Sequence, residues 1–182
     1  MRQHDHVHRV LEQWRREAPQ LDRSAFGVIG RISRLAQLLQ AQIEPVFAFN
    51  GVTAGEFDVL AALRRAGRPY RLSPTELSRA LIVTSGGMTK RLNALEARGL
   101  VSRESDPNDG RSSAVVLTSA GKGLVERVLP EHASNEGRLV SELSAKERRL
   151  LATLLERFAV SMDDLEDARL PRISDVHRGR RK

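Results

Sequence analysis

Cysteine is absent from this chain of 182 residues. Disulfides, thiol nucleophiles and cysteine-based redox sensing are thereby excluded. No apolar run approaches the roughly 18 residues of a membrane-spanning helix, so no membrane partner is expected. The opening stretch, MRQHDHVHRV, is polar and charged. It does not read as a secretory leader, and a cytoplasmic location is expected. Internal repeats and low-complexity domains are absent. The sequence offers no nucleophile–base pair, no phosphate-cradling glycine loop and no metal cluster. His4 and His8 stand at i,i+4 spacing, but no third ligand accompanies them. No catalytic residue, metal or cofactor is expected, and the chain is not read as an enzyme.

Basic charge is present: 30 Lys and Arg against 23 Asp and Glu, a net +7. That balance favours a polyanionic partner without identifying it. The length suffices for one domain with a real core.

Residues 72–118 organise the rest. Ser73-Pro74-Thr75-Glu76 is a capping box with proline at the first helical position. A short helix follows through Leu77, Ala80 and Leu81. Thr84 is a good N-cap for a second helix, which should end at Gly99. Met88, Leu92 and Leu95 share one face of it at helical spacing and should pack inward. At about 100° per residue, Gly86, Lys90, Asn93 and Ala97 point the other way, flanked by Ser85 and Thr89. Small, polar and basic residues suit a helix that approaches base edges and phosphates. Taken alone, the same helix also reads as a solvated amphipathic one.

The segment after it favours DNA. Residues 100–105 and 113–117 are short strand-like runs, and Val115-Val116-Leu117 is good β sequence. Between them, Asp-Pro and Asn-Asp-Gly are turn chemistry. Arg111 at a hairpin tip is placed to enter a minor groove, and Asp109 to steady an arginine there. A helix, a turn, a second helix and then a charged hairpin make a winged helix-turn-helix. Ser73, Thr84, Ser85, Gly86, Thr89, Lys90, Asn93, Asp109 and Arg111 are the expected contacts to double-stranded DNA.

These residues resemble the MarR family of bacterial transcription regulators. The segment Asp106-Pro-Asn-Asp109-Gly-Arg111-Ser112 matches that family's D-x-R-[ST] wing signature. The resemblance spans about residues 8–158. It implies a homodimer whose second motif helix enters the major groove and whose Arg111 enters the minor groove. Some members sense peroxide through cysteine, which this chain lacks.

A helix over residues 5–18, carrying Val7, Val10, Leu11 and Trp14, precedes the usual start of the family. A long helix over 25–50 follows, on the order of 40 Å, with Pro45 expected to bend it. Its stripe of Phe26, Ile29, Ile32, Ala36, Leu39, Ile43, Val46 and Phe47 needs a partner surface. Thr53-Ala-Gly-Glu56 caps a helix to Ala66. Thr118 caps another to about Leu143, with Pro130 inside. Ser144-Ala-Lys-Glu147 opens the last, with Leu150, Leu151, Leu154, Leu155 and Phe158. The expected fold is mainly α with a small β-wing, dimeric, and a single domain over 1–182. Residues 5–50 and 118–165 form a dimerisation lobe and 53–117 the winged lobe. Residues 171–182 are expected to form a basic, mobile tail.

The extra N-terminal helix, Gly27-Val-Ile-Gly-Arg31, Gly55-Glu-Phe-Asp58 and Val83-Thr-Ser-Gly-Gly-Met-Thr-Lys-Arg91 resemble the urate-responsive regulators of the family. There a tryptophan, an aspartate and two arginines are the urate-contacting set. The resemblance maps them to Trp14, Asp58, Arg91 and Arg103. Thr-Lys90-Arg91 departs from the commoner Thr-Asn-Arg, a change on the DNA side. On their own terms, Arg91 lies at the edge of the buried helix face, about 60–70° from its centre. Arg103 shares strand parity with Val101 and reads as inward-pointing. Asp58, the one charge in an apolar run, can hold an arginine ready. Two guanidinium groups suit a planar anion. The competing account is a structural ion-pair set. The expected function is a repressor, released from a palindromic operator by urate or a similar anionic aromatic. The alternatives are response to phenolic acids and a ligand-independent architectural DNA-binding protein.

Overall fold

The computed structural model describes residues 4–105 and 113–167, and of 105, 113 and 164–167 only the backbone. The elements are α1 (His6–Glu17), α2 (Ser24–Phe49), α3 (Ala54–Arg65), β1 (Arg71–Leu72), α4 (Pro74–Ala80), α5 (Ser85–Ala97), β2 (Val101–Ser105), β3 (Ser113–Leu117), α6 (Ser119–Leu139) and α7 (Ala145–Asp167). Two compact units result, one ending at Glu136 and the other beginning at Gly137.

Local chemistry sets the helix starts in the first unit. Thr53 and Ser73 each accept from the N–H three residues on, and Glu56 and Glu76 reach back to the capping N–H groups. These are the two capping boxes read from the sequence. Thr84 Oγ1 accepts from the N–H of Gly87 at 3.2 Å. α5 closes as expected: Gly99 takes φ +66°, donating to the Glu96 carbonyl, and Leu100 donates to that of Leu95.

Met88, Leu92 and Leu95 are buried. They meet Leu60 and Leu63 of α3, Leu77 of α4, Val115 of β3 and Val125 and Val128 of α6 in one core. The sheet is antiparallel in the order β1-β3-β2, with Arg103 opposite Val115 and Arg71 opposite Val116. β1 is an addition to the sequence reading. Two residues are too few to show alternation, and the strand exists only because β3 offers a free edge.

α2 runs through Pro45 without a break, and α6 through Pro130. α6 stops at Leu139 rather than near Leu143. The chain turns there, the N–H of Ser141 donating to the Arg138 carbonyl, before Ser144 caps α7 in the third capping box. On α2 only Gly27 and Phe47 are buried, while Phe26, Ile29, Leu35 and Leu39 are exposed. In the second unit, Leu150, Leu151, Leu154 and Leu155 of α7 are exposed too.

α1 packs on α2 through Val7 and Leu11, beside Gly30 and Gly27, and one carboxylate ties the two helices together. Asp5 accepts from the N–H of His8 at 2.7 Å as N-cap, and from Nε and Nη2 of Arg31 at 2.8 and 3.1 Å. The His8 N–H first, and Arg31 next, hold its carboxyl below the ordinary aspartate value of 3.8. A lowered folded-state value means the stabilisation is complete above the unfolded value and is lost as pH falls through the lower one. α1 amides should therefore lose hydrogen-exchange protection below about pH 4, before those of α3. Asp5→Ala should produce the same fraying at neutral pH.

Candidate functional site

The outward face of α5 is where the sequence placed it. Ser85, Gly86, Thr89, Lys90 and Asn93 are exposed. The two glycines of its first turn differ. A Cβ on Gly87 would come within 3.0 Å of Val83 Cγ1, so that glycine serves internal packing. A Cβ on Gly86 would meet nothing within 4 Å. Nothing among the described residues requires that glycine, and its smallness keeps the outer surface open. Thr89 Oγ1 donates to the Ser85 carbonyl at 2.9 Å. The Ser73 hydroxyl is committed to its own cap, 2.8 Å from Glu76 Oε2. Asp109, Arg111 and the tail from 171 to 182 lie outside the described residues.

The inner edge of α5 carries Arg91. Its guanidinium lies over the first turn of α3, where a Cβ on Gly55 would stand 2.6 Å from Cζ. Arg91 thus turns away from the face that carries Lys90. It acts electrostatically on Asp58, one turn further along α3. Asp58 keeps contact with solvent, but protein crowds its carboxyl. That loss of water raises the carboxyl above the usual aspartate range, against the opposing pull of Arg91, Arg65 and His132.

His132 of α6 completes this cluster, and the sequence reading missed it. Its Nε2 lies 3.3 Å from Glu136, and its ring centroid lies 4.9 Å from that of Phe47 and 6.1 Å from that of Phe57. Its Nδ1 is buried without a hydrogen-bond partner among the described residues. Only an alignment of α6 against α2 and α3 would have revealed it, and no local pattern encodes that.

Arg103 corrects the sequence reading. It does not point inward beside Val101. Its Nε pairs with Glu96 at 3.2 Å and its Nη2 donates to Asn93 Oδ1, both on α5. Strand parity is right, but β2 runs past the edge of the core. The face that buries Val101 there meets the polar flank of α5 two residues later. Arg103 is thus a clamp from wing to helix, and Asn93 is partly occupied by it. Trp14 stands 45% exposed on α1. The single chain brings together Asp58 and Arg91, with Gly55 and His132, and places Arg103 elsewhere.

A capped helix pair, an exposed small and basic helix face and an antiparallel wing sheet define a winged helix-turn-helix DNA-binding regulator. Residues 50–112 match the model of the MarR family. The transcriptional regulator PecS of Dickeya dadantii (strain 3937) is 39% identical over 148 residues, covering 81% of this chain and 89% of that protein. Among solved structures, a MarR variant from E. coli complexed with operator DNA superposes with a TM-score of 0.65 at 26% identity, covering 80% of this chain and 96% of that one. Bordetella bronchiseptica BpsR, whose DNA binding is regulated by 6-hydroxynicotinic acid, gives 0.64 at 27% identity, covering 72% and 98%. The chain belongs to the MarR family of DNA-binding transcriptional regulators. Its relatives are regulators and not enzymes. No single described helix is long and apolar enough to cross a membrane.

Proposed function

We propose that this regulator is a homodimeric repressor of a palindromic operator, released when urate or a similar anionic aromatic binds at Asp58 and Arg91. The observation that carries the reading is the seat of Arg91. A cation belonging to the recognition helix α5 is turned off the DNA-facing side and laid on Gly55 beside Asp58. Guanidinium groups hold planar anions by paired hydrogen bonds and stacking. The anion binds the guanidinium that Asp58 holds ready, and α5 moves with its arginine. The exposed apolar stripes of α2 and α7 are the faces we assign to the second copy. Two recognition helices must sit about one DNA turn apart, roughly 34 Å, so a small movement of each spoils joint docking. The ligand must prefer the form that cannot dock, or no release follows. The regulation of BpsR by 6-hydroxynicotinic acid, also a planar heterocycle, is consistent with this chemistry.

Fluorescence anisotropy on a labelled duplex from upstream of the gene tests the reading, with urate and salicylate in parallel. Urate should weaken binding by the wild type about 5–150-fold, a coupling of roughly 1–3 kcal/mol. Asp58→Asn should retain DNA affinity and respond less than about threefold. The variant should also melt at or above the wild-type temperature. A carboxyl raised in the folded state stabilises below its unfolded value and loses that contribution as pH rises, so at neutral pH the charge opposes folding. Operator binding indifferent to urate but sensitive to salicylate would replace the effector. Equal weak binding to all sequences with a steep salt slope would favour the architectural reading.

A further inference from the structure

α4 ends in a Schellman turn whose left-handed position is filled by isoleucine. With Leu81 as C-cap, the N–H of Ile82 donates to the Arg79 carbonyl at 3.4 Å and that of Val83 to the Ser78 carbonyl at 3.0 Å. Ile82 consequently has φ +50°. The residues at the same place after α2, α3 and α5 are Gly51, Gly67 and Gly99, all with positive φ. A β-branched side chain is among the least suited to this conformation. Among the described residues, the other non-glycine residue there is Tyr70, with φ +61°. It is held by packing against the core and by Arg64, 5.1 Å above its ring. Ile82 has no such hold, being 95% exposed. Its side chain gives the fold nothing that would offset the backbone strain, so its use lies outside the chain. Its place says where: in the turn between α4 and α5, two residues before Thr84, the N-cap of α5, and three before exposed Ser85.

We propose that Ile82 is a DNA-contacting specificity residue that packs on a thymine methyl group at the edge of the major groove, beside the N-terminus of α5. The inference rests on α5 being the recognition helix. Thymine C5-methyl is the apolar feature of base edges in that groove, and apolar side chains read it. Ile82 has no hydrogen-bonding group with which to read anything else. The contact adds a preference that the polar face of α5 does not supply.

The test uses the full-length chain and a duplex that it enriches from a random-sequence pool. Each thymine is replaced in turn by deoxyuridine, which removes only the methyl. At least one replacement should cost the wild type about three- to fivefold per half-site. The same replacement should cost Ile82→Gly nothing, while this variant melts at or up to about 4 °C above the wild type. Ile82→Ala keeps a Cβ and thus the left-handed strain. It should lose the methyl preference without the thermal gain, which separates the contact from backbone freedom. Lys90→Ala should weaken both duplexes alike. Discrimination of thymine from uracil unchanged in the Ile82 variants overturns the inference, as does a wild type indifferent to every replacement. If Lys90→Ala also binds as the wild type does, the assignment of α5 itself falls.

Discussion

Gly121→Ala is expected to destabilise the protein by about 2–3 kcal/mol, with the Tm falling roughly 5–10 °C. Gly121 lies in the first turn of α6, where its N–H donates to Thr118 Oγ1 at 3.0 Å. A Cβ there would stand 2.1 Å from the Leu100 carbonyl oxygen and 2.8 Å from Leu117 Cδ1. The leucine side chain can yield, but the carbonyl cannot. Leu100 is fixed on one side by its N–H bond to Leu95 of α5 and on the other by the Thr118 N–H, which donates to its oxygen at 3.2 Å. Relief therefore means moving α6 away from the junction of α5 and β2. The core that spans Leu92, Leu95, Val125 and Val128 opens as a result. Alanine regains about 1 kcal/mol of helix propensity, which is already counted in the net figure. Gly123 on the same helix provides the contrast, since a Cβ there meets nothing within 4 Å. Gly123→Ala should stabilise by up to about 1 kcal/mol. Urea denaturation of the two variants checks the pair. Equal effects, or effects of the reverse order, would mean that α6 does not sit on Leu100 as described. DNA affinity should fall with Gly121→Ala, because the displaced junction carries the C-terminal end of α5.

What was legible in the sequence is what short spacings determine. Capping boxes join residues three apart, so Thr53 with Glu56, Ser73 with Glu76 and Ser144 with Glu147 could be read directly, and all three form. The inward face of α5 follows from helical periodicity, and Met88, Leu92 and Leu95 are buried on it. Arg91 at the edge of that face was legible for the same reason. What remained hidden depends on which surface lies opposite. Strand parity gave Arg103 a face but could not say that Glu96 and Asn93 would meet it there. β1 has no pattern of its own and is defined by pairing with β3. His132 enters the Asp58 cluster only through the packing of α6 beside Phe47 and Phe57. Ile82 reads as an ordinary apolar residue until its φ and exposure are known together.

The same limit applies to Gly55, which reads as an ordinary second position of a capping box and whose substitution should have the largest effect on regulation. A Cβ at Gly55 would lie 2.6 Å from Arg91 Cζ and 2.8 Å from both Nε and Nη2. The three nearest atoms among the described residues all belong to Arg91, and they are the far end of a flexible side chain. Gly55→Ala should therefore leave the fold intact. In a helix it should stabilise, by up to about 1 kcal/mol. The guanidinium, however, loses its seat and swings toward solvent on the side of α5 that carries Lys90. Two consequences separate the roles of Arg91. The urate response proposed for the wild type, about 5–150-fold, should shrink below about threefold, because the anion no longer finds the arginine beside Asp58. DNA affinity at low salt should hold or rise, and the slope of log K against log salt should steepen by about one to two, as a cation from each protomer joins the phosphate contacts. Anisotropy titrations at several salt concentrations, with and without urate, read both. A full urate response in Gly55→Ala would place the effector away from Arg91. A lost response with an unchanged salt slope would mean that the displaced Arg91 leaves its seat without reaching the phosphates.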